Sequence, residues 1–461
     1  MKRLFKRGLV LGALLLIGAL ATGLWYHLLR REPAPHFASE AENFKYGSIN
    51  TAPGFPLYIW EAMLDGMADQ LPPGGLGLIQ EPGRSTPVGF ALRTVGFPGL
   101  NANCALCHCG TVQSADGSGQ QVYPGAPAQQ FDFRAFESFA MKCAEDPRFT
   151  AATLMPLIRR RHSLGWFEGW VYRWLLIPAT RKKVLEQRDA SAWVDRRPPA
   201  GPGRTDAFSR LKINFLGLPD DGTTDTSDSV PLWHQQARTG RRLHWNGAGT
   251  RVDQDNFLSA VTLIGKPGNL DAATFNRMTN FLWNVKAPAF PSPVKAPLAA
   301  QGERVYRQHC AECHAPDGAK TGQVTPQSEV GTDPDFLRMW TPAFQAALKA
   351  YRQPPFNFDG MVPSDGYVNP LLDGCWLRAP YLHNGSVPTL ADLLQPPAER
   401  PTVFFRGGTV YGPDRMGFVS TGPGGFRYDT SVPGNGNRGH IYGTALPATE
   451  KTALLEYLKT L

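Results

Sequence analysis

Two five-residue stretches constrain this chain more than anything else in it: Cys104-Ala105-Leu106-Cys107-His108 and Cys310-Ala311-Glu312-Cys313-His314. Two thiols three positions apart can each add to one vinyl group of a haem, and the histidine that follows is placed to bind the iron from below. C-x-x-C-H is therefore the signature of covalent c-type haem. The chain has seven cysteines, four fall into the two pairs, and both pairs carry the histidine. A zinc knuckle or a dithiol redox pair would leave both histidines as accidents. The reading is two covalently bound haem c groups, attached at Cys104 and Cys107 and at Cys310 and Cys313, with His108 and His314 as the proximal metal ligands.

That reading sets the expected fold class: mainly α, two cytochrome c-like haem domains with long Gly/Pro-rich loops, preceded by an N-terminal transmembrane helix. Glycine and proline together make up about a fifth of the chain, which suits a fold in which haem replaces part of the side-chain core. Net charge is +8, partly from the N-terminus and the 158–183 region, and is not read as a nucleic-acid footprint.

Residues 8–29 form one apolar run preceded by Lys2, Arg3, Lys6 and Arg7, with Trp25 and Tyr26 at its far end. The run is expected to anchor the protein on the periplasmic side of the inner membrane. The rival is a cleaved signal peptide, with Ala19-Leu20-Ala21 as cleavage site, giving a periplasmic or secreted protein. Either way the body is exported. Cys109, Cys143 and Cys375 then lie in an oxidising compartment, where one pair can form a disulfide and at least one thiol stays free.

The expected organisation is anchor or signal peptide over 1–30, tether over 31–55, an N-terminal haem domain over 56–290 and a C-terminal cytochrome c domain over 297–461. The boundary is the proline-rich 286–297. Helices are expected over 58–70, from 131 to about 187, over 271–284, in the run into Cys310 and in the last segment, with Gly302 allowing the first and last helices of the second domain to cross near Tyr457. The loop from 110 reads as turn-rich. Trp166, Trp170 and Trp174 share one helical face. It reads as a core face packed on haem or a neighbouring helix, the alternative being a patch that touches membrane or an apolar substrate.

The sixth ligand decides what each haem does. With two protein ligands it mainly transfers electrons; with an open face it binds O2 or peroxide. His440 lies in a Gly/Asn-rich loop just before the last helix, where small cytochromes supply the distal ligand, and is the candidate for the second haem, with Met361 and Met416 behind it. The loop after His108 offers no His or Met until Met141, so the first haem is expected open or weakly ligated. His234 and His244 are candidates there for ligand, distal hydrogen-bond donor or propionate partner, and Trp245 and Phe257 for an apolar distal wall. Trp376 reads as packing between the domains or as an aid to electron transfer.

The run Ala379-Pro380-Tyr381-Leu382-His383-Asn384-Gly385-Ser386-Val387-Pro388-Thr389-Leu390 resembles the APY-x-H-(N/D)-G motif of the bacterial di-haem cytochrome c peroxidase superfamily. The likeness is closer to its haem rubber oxygenase branch, through Pro231-Leu232-Trp233, His244-Trp245-x-Gly247, the run 378–401, and Asn437-Arg438-Gly439-His440-x-Tyr442-Gly443. The resemblance covers roughly residues 90–461. It implies two cytochrome c-like domains with the haems at an interface, His108 serving an O2-binding haem, and His314 and His440 an electron-transfer haem. The peroxidase branch's methionine after the His-Asn-Gly motif is missing, as is its regulatory histidine after the first haem motif. His383 then reads as a propionate or interface residue.

The function expected is an exported di-haem c-type oxidoreductase of the peroxidase or oxygenase type. Its first haem would activate peroxide or O2, with His108, Trp245 and Phe257 at the reacting site, and its second would transfer electrons. A redox partner protein or quinol would be donor or acceptor. The alternative is a membrane-anchored electron carrier without catalytic activity of its own.

Overall fold

The computed structural model describes residues 2–33, 35–113, 119–422 and 425–461. The first haem motif is delivered by a hairpin. Strands Phe90–Val95 and Phe97–Ala102 pair antiparallel and turn at Gly96, whose φ of +76° a side chain would resist. Phe55–Pro56 adds a third strand. Asn103 then stops the chain: its carbonyl oxygen accepts from Ala105 N at 2.9 Å and its amide donates to the Gly47 carbonyl at 2.8 Å. This side-chain cap starts the 3-10 turn Cys104–Leu106 and ties the motif to the helix Glu40–Tyr46 just before Gly47.

Helices Leu57–Gly66, Phe133–Glu145 and Ala151–Arg161 pack beside the hairpin around buried Trp60, Phe139, Phe149 and Leu154. Asp132 and Thr150 cap two of them by accepting from Ala135 N and Thr153 N. Helices Val252–Ile264 and Ala272–Asn284 complete this half.

In the second half the helix Ala296–His309 crosses Ala448–Leu458. Contact is closest at Gly302, where a Cβ would overlap the Ala453 carbonyl and come within 2.8 Å of Tyr457 Cβ. The chain between them carries short antiparallel ladders, Val324–Pro326 with Gly366–Val368 and Val403–Arg406 with Phe426–Asp429.

The halves share buried polar contacts. Trp233 Nε1 donates to the Asp373 carbonyl at 3.2 Å and Lys212 Nζ to the Met339 carbonyl at 3.1 Å. Arg406 pairs with Asp228 and donates to the Gly385 carbonyl at 2.8 Å. Trp376 is fully buried, edge-on to Tyr123, Phe290 and Tyr411.

Several expectations change. The fold is not mainly helical with loops: seven small sheets accompany the helices among the described residues. The stretch after His108 is not simply a turn-rich loop, because Cys109–Gln113 pairs with Gln120–Pro124; residues 114–118 lie outside the described residues. The expected N-terminal transmembrane helix is not found. Lys2–Leu29 is helical, but among the described residues no helix is long and apolar enough to cross a membrane. Its far end meets the folded body: Gly23 lies beside the Phe167 ring, Arg31 bridges to Val95, and Glu32 N donates to the Thr94 carbonyl at 3.2 Å. Between Arg7 and Gly23 the chain reaches only about 24 Å as helix, short of a bilayer core of about 30 Å. Membrane anchoring, expected for localisation and partners alike, is therefore not supported. Trp166, Trp170 and Trp174 are 77%, 44% and 60% exposed, so they form no core face. Cys109, Cys143 and Cys375 are buried free thiols.

Candidate functional site

Between the halves lies a cavity of about 720 Å³. Cys104, Cys107 and His108 line it, with His244, Trp245 and Met361. His108 donates from Nδ1 to the Val230 carbonyl at 3.0 Å, which leaves Nε2 as the free nitrogen. Burial, only partly countered by that hydrogen bond, lowers the imidazole to about 4, so the ring is neutral and fit to ligate a metal. Trp245 is fixed by donating from Nε1 to the Asp228 carbonyl at 2.7 Å. Phe257 does not line the cavity: it is buried in the core and stacked on Phe356 at 4.5 Å between centroids.

The second motif is arranged differently. His314 donates from Nδ1 to the Pro370 carbonyl at 2.7 Å, again leaving Nε2 free. His440 lies opposite at 6.3 Å between ring centroids. An iron bonded to both rings at roughly 2 Å, the usual metal–imidazole length, would set the centroids about 6 to 6.5 Å apart. His440 Nδ1 is buried without a hydrogen-bond partner among the described residues, and burial lowers this ring to about 4. The loop is gripped by Arg400, which donates to the carbonyls of Asn437, Gly439 and His440. His440 itself takes a positive φ of +43°, an uncommon conformation for a side-chain-bearing residue.

These residues fit haem c. At each motif two thiols adjoin a histidine whose basicity burial lowers, and Arg238, Arg241, Arg242 and Arg378 line the cavity, Arg238 and Arg378 both paired with Asp373. Most of the other candidates lie elsewhere. His162 pairs with Glu61, and His234 stands 3.7 Å from Asp373. His383 is buried and stacked on Tyr367 at 4.2 Å. Met361 lines the cavity with His108, whereas Met416 is packed in the second half's core. The His27 side chain lies outside those described. Asp255, Asp228 and Arg406 were missed by sequence reasoning, which held no local signal for an ionic partner that folding supplies.

The arrangement at both motifs suits covalent haem c, and comparison with known proteins points the same way. Residues 366–405 match the family model "RoxA-like, cytochrome c-like", and residues 297–357 match that of cbb3-type cytochrome c oxidase subunit III. These matches support a relationship to cytochrome c domains and the rubber oxygenase-like branch, and with it haem c binding and a redox role. Among curated proteins the chain is similar to two uncharacterised proteins of Sinorhizobium fredii (strain NBRC 101917 / NGR234). It is 29% identical to y4iM over 281 residues, covering 53% of this chain and 64% of that protein. It is 31% identical to y4iJ over 252 residues, covering 40% of this chain and 42% of that protein. The chain thus spans less than two thirds of the length of either relative.

Proposed function

We propose that the protein is an exported di-haem c oxidoreductase, in which the first haem site activates peroxide or O2 and the second transfers electrons. The observation that carries this reading is the asymmetry between the motifs: His314 has an imidazole opposite it at 6.3 Å, whereas His108 lines a cavity of about 720 Å³. Bound haem c supplies redox-active iron at each motif. Cys104, Cys107, Cys310 and Cys313 would hold the groups covalently, and His108 and His314 would supply a metal-binding nitrogen at each. His440 would give the second site a further imidazole, which favours electron transfer over ligand binding. At the first site Trp245 shapes the wall where a small oxidant is received, and the neighbouring arginines orient carboxylates. Electrons would come from or go to a redox partner protein or a quinol.

Electron paramagnetic resonance of the oxidised holoprotein tests this. One low-spin and one high-spin or ligand-exchangeable centre is the expected result. Two low-spin centres that resist cyanide and carbon monoxide would instead make the protein an electron carrier.

A further inference from the structure

The cavity holds a second histidine that the reading above does not use. Leu243 and Gly249 bridge, Leu243 N donating to the Gly249 carbonyl at 2.9 Å, and this closes a short loop on which His244 takes a φ of +60°. A non-glycine residue is held in that region only when its surroundings require it. Here the requirement is visible. His244 Nε2 lies 3.3 Å from Asp255 Oδ2, and the Phe208 ring packs edge-on at 5.9 Å. Asp255, on the helix Val252–Ile264, is 7% exposed, and neither carboxylate oxygen has a hydrogen-bond donor of normal geometry among the described residues. A buried carboxylate without other donors needs a neighbour that can donate to it, and His244 stands where that neighbour must be. Gly249 makes room: a Cβ there would overlap the carboxylate. Burial opposes charge on His244, but Asp255 outweighs it and raises the ring's basicity.

We propose that His244 and Asp255 form the proton-accepting pair of this cavity, built for small ligands that arrive as weak acids, hydroperoxides above all. The inference rests on the proposed role of the first site. With Nε2–H directed at Asp255, Nδ1 is the nitrogen left to act. The O–H bond of the acid breaks, its electron pair stays on the conjugate base, and the proton passes to Nδ1. The resulting imidazolium is held by the Asp255 carboxylate, and nothing is oxidised or reduced in this step.

The test compares holoprotein of the natural sequence with His244→Gln, His244→Ala and Asp255→Asn. The probes are hydrogen cyanide, which must lose a proton to bind oxidised haem, and carbon monoxide, which has none to lose. Cyanide association should slow on the order of a hundredfold in the His244 variants, the usual size of a lost general base, and less in Asp255→Asn. Carbon monoxide association to the reduced protein should be unchanged. Persistence of the low-spin signal from the second site shows that a variant is folded. Should the variants not fold, cyanide association to the unsubstituted protein in heavy water decides, since proton transfer must slow there and an unchanged rate overturns the proposal. Equal cyanide rates, or a parallel loss of carbon monoxide binding, also overturn it, as does a low-spin centre turned high-spin by replacing His244, which would make His244 an iron ligand. If the unsubstituted protein binds neither probe, the proposed function fails and this inference with it; if it binds both regardless of residue 244, only the inference fails.

Discussion

The imidazoles of His314 and His440 lie 6.3 Å apart between centroids, their planes inclined at 41°. Rotation of either ring about a shared nitrogen–metal–nitrogen axis leaves both bonds intact, so the tilt is compatible with one iron between them. Two imidazoles impose a strong field and low-spin iron. His440→Ala should convert the low-spin signal of the oxidised protein to high-spin and leave cyanide binding at the first site in place. An unchanged resonance spectrum would move the assignment to Met416, buried in the same half.

Haem content follows from the two thiol pairs. Replacing Cys104 and Cys107 together by alanine, or Cys310 and Cys313 together, should each remove one covalent haem from the intact mass of the denatured protein. Only the first pair of changes should abolish carbon monoxide binding. A natural protein carrying the mass of a single haem contradicts the proposal outright.

Gly302 is the point where two helices touch through backbone. The obstacle to a Cβ is the Ala453 carbonyl, which cannot swing aside as the end of a flexible side chain can. Gly302→Ala should therefore destabilise the second half by about 1–3 kcal/mol, the common cost of overpacking. Thermal unfolding followed by circular dichroism checks this, and an unchanged midpoint would show that the helices slide apart freely.

The Arg406–Asp228 pair ties the halves together and both residues are shielded from water. Removing one partner of a buried pair typically costs about 3–5 kcal/mol, because the other charge is left uncompensated. Arg406→Ala should lower the free energy of unfolding in urea by that measure, whereas replacing exposed Arg251, paired with exposed Asp253, should change little.

Acid should destabilise the fold through His383. Burial first, and then the Arg204 charge, lower its imidazole from 6.5 to about 3. In the unfolded chain it takes up a proton near 6.5, so the stability it contributes is complete above that pH and drains away as pH falls toward 3. The slope from one such group is at most about 1.4 kcal/mol per pH unit. His383→Gln should flatten the stability profile in this window; an identical slope would show that the histidine is protonated in the fold.

What could be read from the sequence was whatever is written in short-range spacing. The cysteine pairs and their histidines are five-residue patterns whose chemistry depends on covalent reach. The helices around residues 58–70 and 271–284 were legible in the sequence, as was the last one from its amphipathic face, and the close approach at Gly302 from the absence of a side chain. His440 was singled out by its place before the last helix, but its 6.3 Å from His314 is a product of packing. The hairpin at Gly96 was passed over although a glycine between two apolar, β-prone runs announces it. Which way a side chain faces was decided by tertiary structure alone. Phe257 and Asp255 are two positions apart on one helix, yet one stacks in the core and the other meets His244. Trp166, Trp170 and Trp174 share a face, as their spacing required, but that face is turned to solvent. Periodicity defines a face; only the surrounding chain determines whether anything covers it. The same holds for the apolar N-terminal run, whose far end is taken up by Phe167 and Val95, residues far along the chain whose approach no local pattern announces.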